Sequence, residues 1–115
     1  MTVVEASDAA ASAVNCLRLE GRLVARDVLR YTPAGLAICT ASLEHESHQQ
    51  EAGGARQVVL GLTCRFAGEL AQRLVAENLG TRLMLQGFLA HRRIGRDGRG
   101  QGGILLHVTH YTTRH

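Results

Sequence analysis

The sequence has 115 residues, which is enough for one domain with a single hydrophobic core and too few for two. Only 3% of the residues are aromatic, so we expect a core of Leu, Val, Ile and Ala. No apolar run is long enough to span a membrane. The formal net charge of +3 is uneven, because residues 91–115 contain five arginines against one acid and residues 1–90 contain eight arginines against nine acids. This asymmetry favours a polyanionic partner for the C-terminal part of the chain.

The first thirteen residues, MTVVEASDAAASA, are small and polar and lack the basic and apolar regions of a secretory signal. We therefore expect a flexible N-terminal arm at 1–13, one domain at 14–115 and a cytoplasmic protein. The three cysteines, Cys16, Cys39 and Cys64, are widely separated and form no CxxC pair. They are predicted to be reduced, buried thiols, since neither a disulfide framework nor a zinc site is indicated.

The first half of the chain predicts three strands. NCLRLEGRLVAR (15–26) alternates leucines with charged residues, as a half-buried strand does, and Gly21 indicates a bulge or bend within it. RYTPAG (30–35) is typical of a turn. The segments that follow are a second strand, LAICTASLEHE (36–46), a polar loop, SHQQEAGGA (47–55), and a third strand, RQVVLGLTC (56–64).

The second half predicts a helix and a hairpin. RFAGELAQRLVAENLG (65–80) places apolar residues four apart and ends on Gly80, which predicts a helix. Strands are predicted at 81–93 and 103–111, and Asp97-Gly98 indicates a turn between them. Five strands with a helix between the third and fourth predict an all-β, five-stranded OB-fold barrel. Another small barrel, such as an SH3-like one, stays open as an alternative.

In an OB-fold, oligonucleotides bind on the second and third strands and in two loops, which here are residues 27–35 and 94–102. The basic hairpin RRIGRDGRG (92–100) falls in the second loop, where clustered arginines can contact phosphates without reading sequence. A solvated turn with charges for solubility is the plain alternative. Tyr31, in the first loop, is the best candidate for stacking on a base. Phe66 is assigned to the core, and Phe88 and Tyr111 are left open between interior and surface.

The sequence contains only weak indications of a catalytic or metal-binding site. His107 and His110 are three apart on a predicted strand and should face opposite sides, and His45 and His48 have no third ligand nearby. The sequence offers no recognisable setting for a nucleophile and no GxxxxGK phosphate-binding loop. We therefore expect neither an enzyme nor a bound cofactor or metal.

Four segments resemble a known family. SLEHESHQQEAGGARQ (42–57) is similar to the segment between the second and third strands of the primosomal replication protein N (PriB) family, and LRLEGRL, YTPAGL and LQGFLAHRR resemble its first strand, proline turn and fourth strand. The related replicative single-stranded DNA-binding proteins (SSB) share YTPAG and the helix pattern. They normally carry a long Gly/Pro-rich extension with an acidic tip, whereas this sequence stops at THYTTRH. That difference favours the primosomal family.

The resemblance implies a non-enzymatic OB-fold homodimer that binds single-stranded DNA and acts in replication restart, between the PriA helicase and the primosome component DnaT. Basic positions of the family imply DNA contacts here, together with Tyr31, at Arg30, Arg56, Arg92, Arg93, Arg96 and Arg99. The family's pairing of first strands implies a dimer interface at Asn15, Cys16, Leu17, Arg18 and Leu19. The alternatives are a short general SSB and a protein-interaction module with vestigial DNA binding.

Three positions depart from the family pattern. The chain has Gly54 and Val59 where well-studied enterobacterial members have aromatic residues, and Glu46 at a basic position of the family. We therefore expect the basic hairpin to contribute more of the DNA binding here than in those relatives.

Overall fold

The computed structural model describes residues 12–92 and 103–114. The elements are β1 (Leu17–Arg26), β2 (Arg30–Tyr31), β3 (Ala37–Glu51), β4 (Gly54–Ala67), α1 (Glu69–Leu74), β5 (Arg82–His91) and β6 (Ile104–Arg114). The strands are ordered β1-β5-β6-β4-β3, and β3 pairs back to β1, so the five long strands form a closed ring with β2 added to β3. The single helix lies between β4 and β5, which confirms the predicted OB-fold barrel.

Alternation along the strands builds the core. In β3 the residues Ala37, Cys39, Ala41 and Leu43 are buried while their neighbours point outward. Phe66 is fully buried, as predicted, and its ring meets Tyr111 edge to face, with 5.7 Å between the ring centroids. Tyr111, which the sequence left open, thus belongs to the core.

The predicted loop at 47–55 is wrong, because β3 and β4 continue through it as a hairpin. A two-residue turn joins them, and its residues Ala52 and Gly53 both have positive φ, 51° and 83°, as in the mirror-image turns that suit twisted strands. Beyond Glu44 the hairpin pairs with no other strand of the described residues, and we call residues 45–60 the ribbon. Residues 47–55 are mostly polar because neither face of the ribbon lies on the core.

The predicted helix at 65–80 is too long, since α1 has only six residues. Its first predicted turn is strand instead: Arg65 pairs with Thr40 and the main chain of β4 continues to Ala67. The end of the predicted helix contacts β1 instead, because the Gly80 N–H donates to the Leu23 carbonyl. At six residues, α1 is far too short to span a membrane, and no other helix occurs in the described parts of the chain.

Two smaller predictions also change. Gly21 is buried against Leu43 rather than bulged, and the irregularity of β1 lies between Leu23 and Ala25. Cys39 and Cys64 are buried free thiols, as predicted, whereas Cys16 is exposed because it precedes β1. The predicted arm at 1–13 falls almost wholly outside the described residues and stays a prediction.

Candidate nucleic-acid interface

A shallow cleft lies on the outer face of β3 and β4. Its floor carries the small hydroxyl side chains of Thr40, Ser42 and Thr63, which point outward because their neighbours in each strand fill the core. One wall is formed by Ala25 and Arg26 at the end of β1 and by Asp27, which follows it. The other wall is formed by Arg92, which follows β5. The cleft thus lies between the start of the first loop that OB-folds use for oligonucleotides, at Asp27, and Arg92, which precedes the second.

Arg92 is half-buried and marks the base of the basic hairpin. Its backbone N–H donates to the Gly103 carbonyl at 2.8 Å, which holds the two arms of the hairpin together beside the cleft. The other predicted arginines of the hairpin, Arg93, Arg96 and Arg99, lie outside the described residues. Their role in DNA binding stays a prediction.

Arg65, which the sequence analysis missed, extends the cleft towards β6. It lies opposite Thr40 on one side and His107 on the other, and its guanidinium has no ion pair among the described residues. His107 stacks on Phe88, with the ring planes at 2° and the centroids 4.9 Å apart. Burial and, second, the charge of Arg65 lower the pKa of His107, so the ring is mostly neutral at pH 7.

Phe88 is the second exposed aromatic residue of this surface. Its side chain is 41% exposed, which settles its position on the outer side of the barrel. The alternation of β4 could have shown that Arg65 faces outward, because Cys64 and Phe66 on either side are apolar. The assignment of residues 65–80 to a helix concealed that signal.

Arg30 and Tyr31 form β2, which pairs with the start of β3 outside the lining of the cleft. Arg30 is opposite Ile38, which is two residues from Thr40 on the same outward face of β3. Tyr31 is 60% exposed. The structure therefore places Arg30 on the outer face near Thr40, whereas Tyr31 is opposite the buried Ala37 and does not share that face.

Arg56 does not join this group. It lies near the tip of the ribbon, opposite Gln49, and its guanidinium is 2.9 Å from a carboxylate oxygen of Glu51. Seven residues separate it from Thr63, which is about 23 Å along an extended strand. Because both partners of the ion pair are exposed, the pair adds little stability and leaves Arg56 accessible.

The outer face of the ribbon offers neither aromatic rings nor unpaired cations at the positions that depart from the family. Val59 is 69% exposed and lies opposite Glu46, whose carboxylate accepts a hydrogen bond from the Gln57 amide at 2.7 Å. Gly54 begins β4 beside the turn. This part of the ribbon is therefore poorly suited to bind a polyanion.

The prediction that His107 and His110 face opposite sides is wrong. A β-bulge shifts the register of β5 and β6 between Gln86 and Gly87, so that His110 lies opposite Gln86 and His107 opposite Phe88. The extra residue, Thr109, turns both histidines to the outer face. Within residues 12–92 and 103–114, no three His, Cys, Asp or Glu side chains are grouped as metal ligands would be.

The predicted dimer residues are the first three residues of β1 and the two residues that precede it. Residues 17–22 pair with β5, but β3 joins the opposite edge only from Arg22 onward. We call the edge of β1 that faces β5 the inner edge and the opposite edge the outer edge. Before Arg22, the outer edge has no strand partner within the described residues. The Asn15 side chain extends the inner edge, because its amide donates to the Leu89 carbonyl at 2.8 Å and its oxygen accepts from the Leu89 N–H at 2.9 Å. The outer edge of these residues is thus open to another strand.

Comparisons with known proteins agree with this geometry. The model of a family described as another single-strand binding protein family matches residues 15–110, which places the chain among the OB-fold single-strand binding proteins. Replication restart protein PriB of Bordetella pertussis is 41% identical over 80 residues, which are 70% of this chain and 75% of that protein. The chain belongs to the PriB family, as the resemblance of its sequence indicated.

Solved structures support the same assignment. PriB of Ralstonia solanacearum is 34% identical, with a TM-score of 0.76 over 90% of this chain and 100% of that one. The single-stranded DNA binding protein of Thermus aquaticus is 27% identical, with a TM-score of 0.73 over 91% of this chain and 52% of that one.

Proposed function

We propose that the chain is a non-enzymatic accessory protein of the replication-restart primosome that binds single-stranded DNA mainly through arginines. In this proposal it acts as a homodimer, and it bridges the PriA helicase and DnaT. The observation that carries the proposal is the cleft on the outer face of β3 and β4, with Arg65 and Arg92 beside a floor of small hydroxyl side chains. Membership of the PriB family supports the role in replication restart.

The cleft suits a single strand better than a duplex or a small ligand. A floor of Thr40, Ser42 and Thr63 lets a nucleic-acid backbone approach closely, and it provides hydroxyl groups that can hydrogen-bond to phosphate or sugar. Phe88, on the outer face of β5, and Tyr31, exposed on β2, offer ring faces for bases. The guanidinium groups of Arg65 and Arg92, which have no ion pair within the described residues, bind phosphates and release counterions, which makes affinity fall with salt.

Replacement of Arg65 or Arg92 by alanine is expected to weaken binding of a labelled oligo(dT) strand in fluorescence anisotropy. Each change removes one phosphate contact, so the slope of log affinity against log salt should become shallower by about 0.7. Affinity at moderate salt should fall roughly threefold or more for each variant. The fourfold variant of Arg92, Arg93, Arg96 and Arg99 should lose most of the salt dependence.

Arg114→Ala is the matched control for this experiment. It removes the same charge from the far end of β6, where the guanidinium is 3.6 Å from a carboxylate oxygen of Glu20, and it should leave the slope unchanged. An equal loss in the control would show that only net charge matters. Absence of binding by the unaltered protein at low salt would overturn DNA binding and favour the protein-interaction module.

The homodimer and the partner proteins are tested separately. Light scattering should give twice the mass of the chain, and a monomer at micromolar concentration would contradict the proposed dimer. Purified PriA and DnaT should each bind the protein immobilised on a sensor surface, and DnaT should still bind after PriA has bound. Competition between the two would rule out a bridge. The cytoplasmic location stays a prediction.

A further inference from the structure

One backbone group on the outer edge of β1 is already occupied. The carbonyl oxygen of Glu20 is 2.7 Å from Nδ1 of His45, and Nε2 of the same ring is 2.7 Å from the hydroxyl of Ser47. A carbonyl only accepts hydrogen bonds, so Nδ1 carries the proton and donates to Glu20, and in the neutral ring Nε2 accepts from Ser47. With both nitrogens engaged, the imidazole is held against the strand edge.

This contact identifies which groups of the edge remain open. In an antiparallel pair, alternate residues direct their N–H and C=O groups to opposite edges of the strand. The Glu20 carbonyl points away from β5, so the backbone groups of Cys16 and Arg18 point the same way. Arg22 does so too, but there β1 already pairs with Glu44 of β3. The open edge thus runs from Cys16 to Arg18 and stops at Glu20.

We propose that His45 ends the open edge of β1 and so fixes the register in which a second copy of this chain pairs with it. The inference rests on the proposed homodimer and adds its geometry. A symmetric antiparallel pair brings the same residues together from both copies. With Cys16 bonded to Arg18 of the second copy and the reverse, Leu17 lies opposite its own counterpart and the paired segment is residues 15–19.

The neighbouring registers are less favourable. Placing Arg18 opposite Arg18 of the second copy needs the Glu20 carbonyl that His45 occupies, and it sets like charges face to face. The next register in that direction, with Leu19 opposite its own counterpart, needs the backbone groups of Arg22, which already pair with Glu44 of β3. A shift the other way, centred on Cys16, needs Val14, which comes before Asn15, the residue whose side chain holds this end of the chain beside Leu89 of β5.

Disulfide mapping tests the register in the full-length protein with Cys16 replaced by serine. Leu17→Cys in this background should form a disulfide-linked dimer under mild oxidation, because opposite residues that do not share hydrogen bonds have Cα atoms about 4.5 Å apart. Arg18→Cys should link poorly, since its counterpart becomes a diagonal neighbour at about 7–8 Å. When His45→Ala is added, the ratio of cross-linking at position 17 to that at position 18 should fall about fivefold. Loss of one net hydrogen bond changes an equilibrium by about that factor.

His48→Ala is the matched control, because it removes an exposed imidazole from the same ribbon and should leave the cross-linking pattern unchanged. The mass of the reduced protein is measured first by light scattering. A monomer there would overturn the homodimer itself. A dimer that links equally well at positions 17 and 18, or whose pattern does not respond to His45→Ala, would overturn the register and leave the homodimer standing.

Discussion

Replacement of Gly87 by alanine is expected to cost at least about 3 kcal/mol of folding stability. A Cβ atom at this position would lie 2.0 Å from the carbonyl oxygen of His107 and 2.9 Å from its carbonyl carbon. Both are backbone atoms of β6, which is paired with β5 on one side and with β4 on the other. The clash therefore cannot be relieved by rotation of a side chain.

The reason for the close approach is the bulge beside Gly87. Thr109 is the extra residue of β6, and its hydroxyl donates to the Gln86 carbonyl at 3.2 Å. The bulge bends the two strands so that the barrel can close through the parallel pairing of β4 and β6. A side chain at Gly87 would push these strands apart at the point where closure depends on them.

Gly61→Ala is the control for this prediction. Gly61 is also a strand glycine, but its added Cβ would meet only the Leu43 carbonyl at 4.0 Å, an ordinary contact. Urea denaturation followed by circular dichroism should show a large loss for Gly87→Ala and a change within about 0.5 kcal/mol for Gly61→Ala. Equal losses would show that the close approach at Gly87 is not what limits the substitution.

Much of the barrel could be predicted because its strands have one buried face. The alternation in β1, β3, β5 and β6 reports that burial directly, so each of these strands was found within a few residues of its start. Residues 47–55 of the ribbon were missed for the opposite reason. Neither face of the ribbon is buried there, so these residues carry no alternation and were interpreted as a loop.

The error at residues 65–80 shows how a local pattern misleads. Phe66, Leu70 and Leu74 are four apart and all contact the core, but Phe66 does so from a strand and Leu74 from a helix. Local spacing cannot distinguish these two routes to the core. The bulge at Thr109 had no signal in the sequence, because it is set by the pairing of β6 with β5.

The cleft was predictable only in part. The order of elements indicated the first loop, where the cleft begins, and the family resemblance indicated Arg92 in its wall. The contribution of Arg65 and the stacking of Phe88 on His107 depend on which strands are neighbours, and β6 reaches β4 only in the closed barrel. Arg56 was grouped with the others by the family pattern, yet the ribbon carries it away from the cleft.

Alkaline pH is expected to unfold the protein between about pH 9 and 12, because buried thiol and phenol groups, above all those of Cys64 and Tyr111, must ionise. Burial raises the pKa of the Cys64 thiol from 9.0 to about 12. Burial, followed by the hydrogen bond to Glu77, raises the pKa of Tyr111 from 10.0 to about 12. Each group is neutral in the fold, and its contribution to stability is complete below the pKa of the unfolded chain. As the pH rises above 9 for Cys64 and 10 for Tyr111, ionisation favours the unfolded state, until the folded groups ionise near 12.

The combined loss is several kcal/mol, which is comparable with the whole free energy of unfolding of a small domain. Urea denaturation at a series of pH values from 8 to 11 should show stability falling steadily, and Cys64→Ala should make that fall shallower from pH 9 upward. Val108→Ala leaves a comparable gap in the core without removing a titratable group, so it should lower stability equally at all pH values. If both variants keep the slope of the unaltered protein, then ionisation of the Cys64 thiol does not control alkaline unfolding. Adding Tyr111→Phe to Cys64→Ala should flatten the profile further above pH 10, because the only other buried phenol or thiol of the described residues is then Cys39.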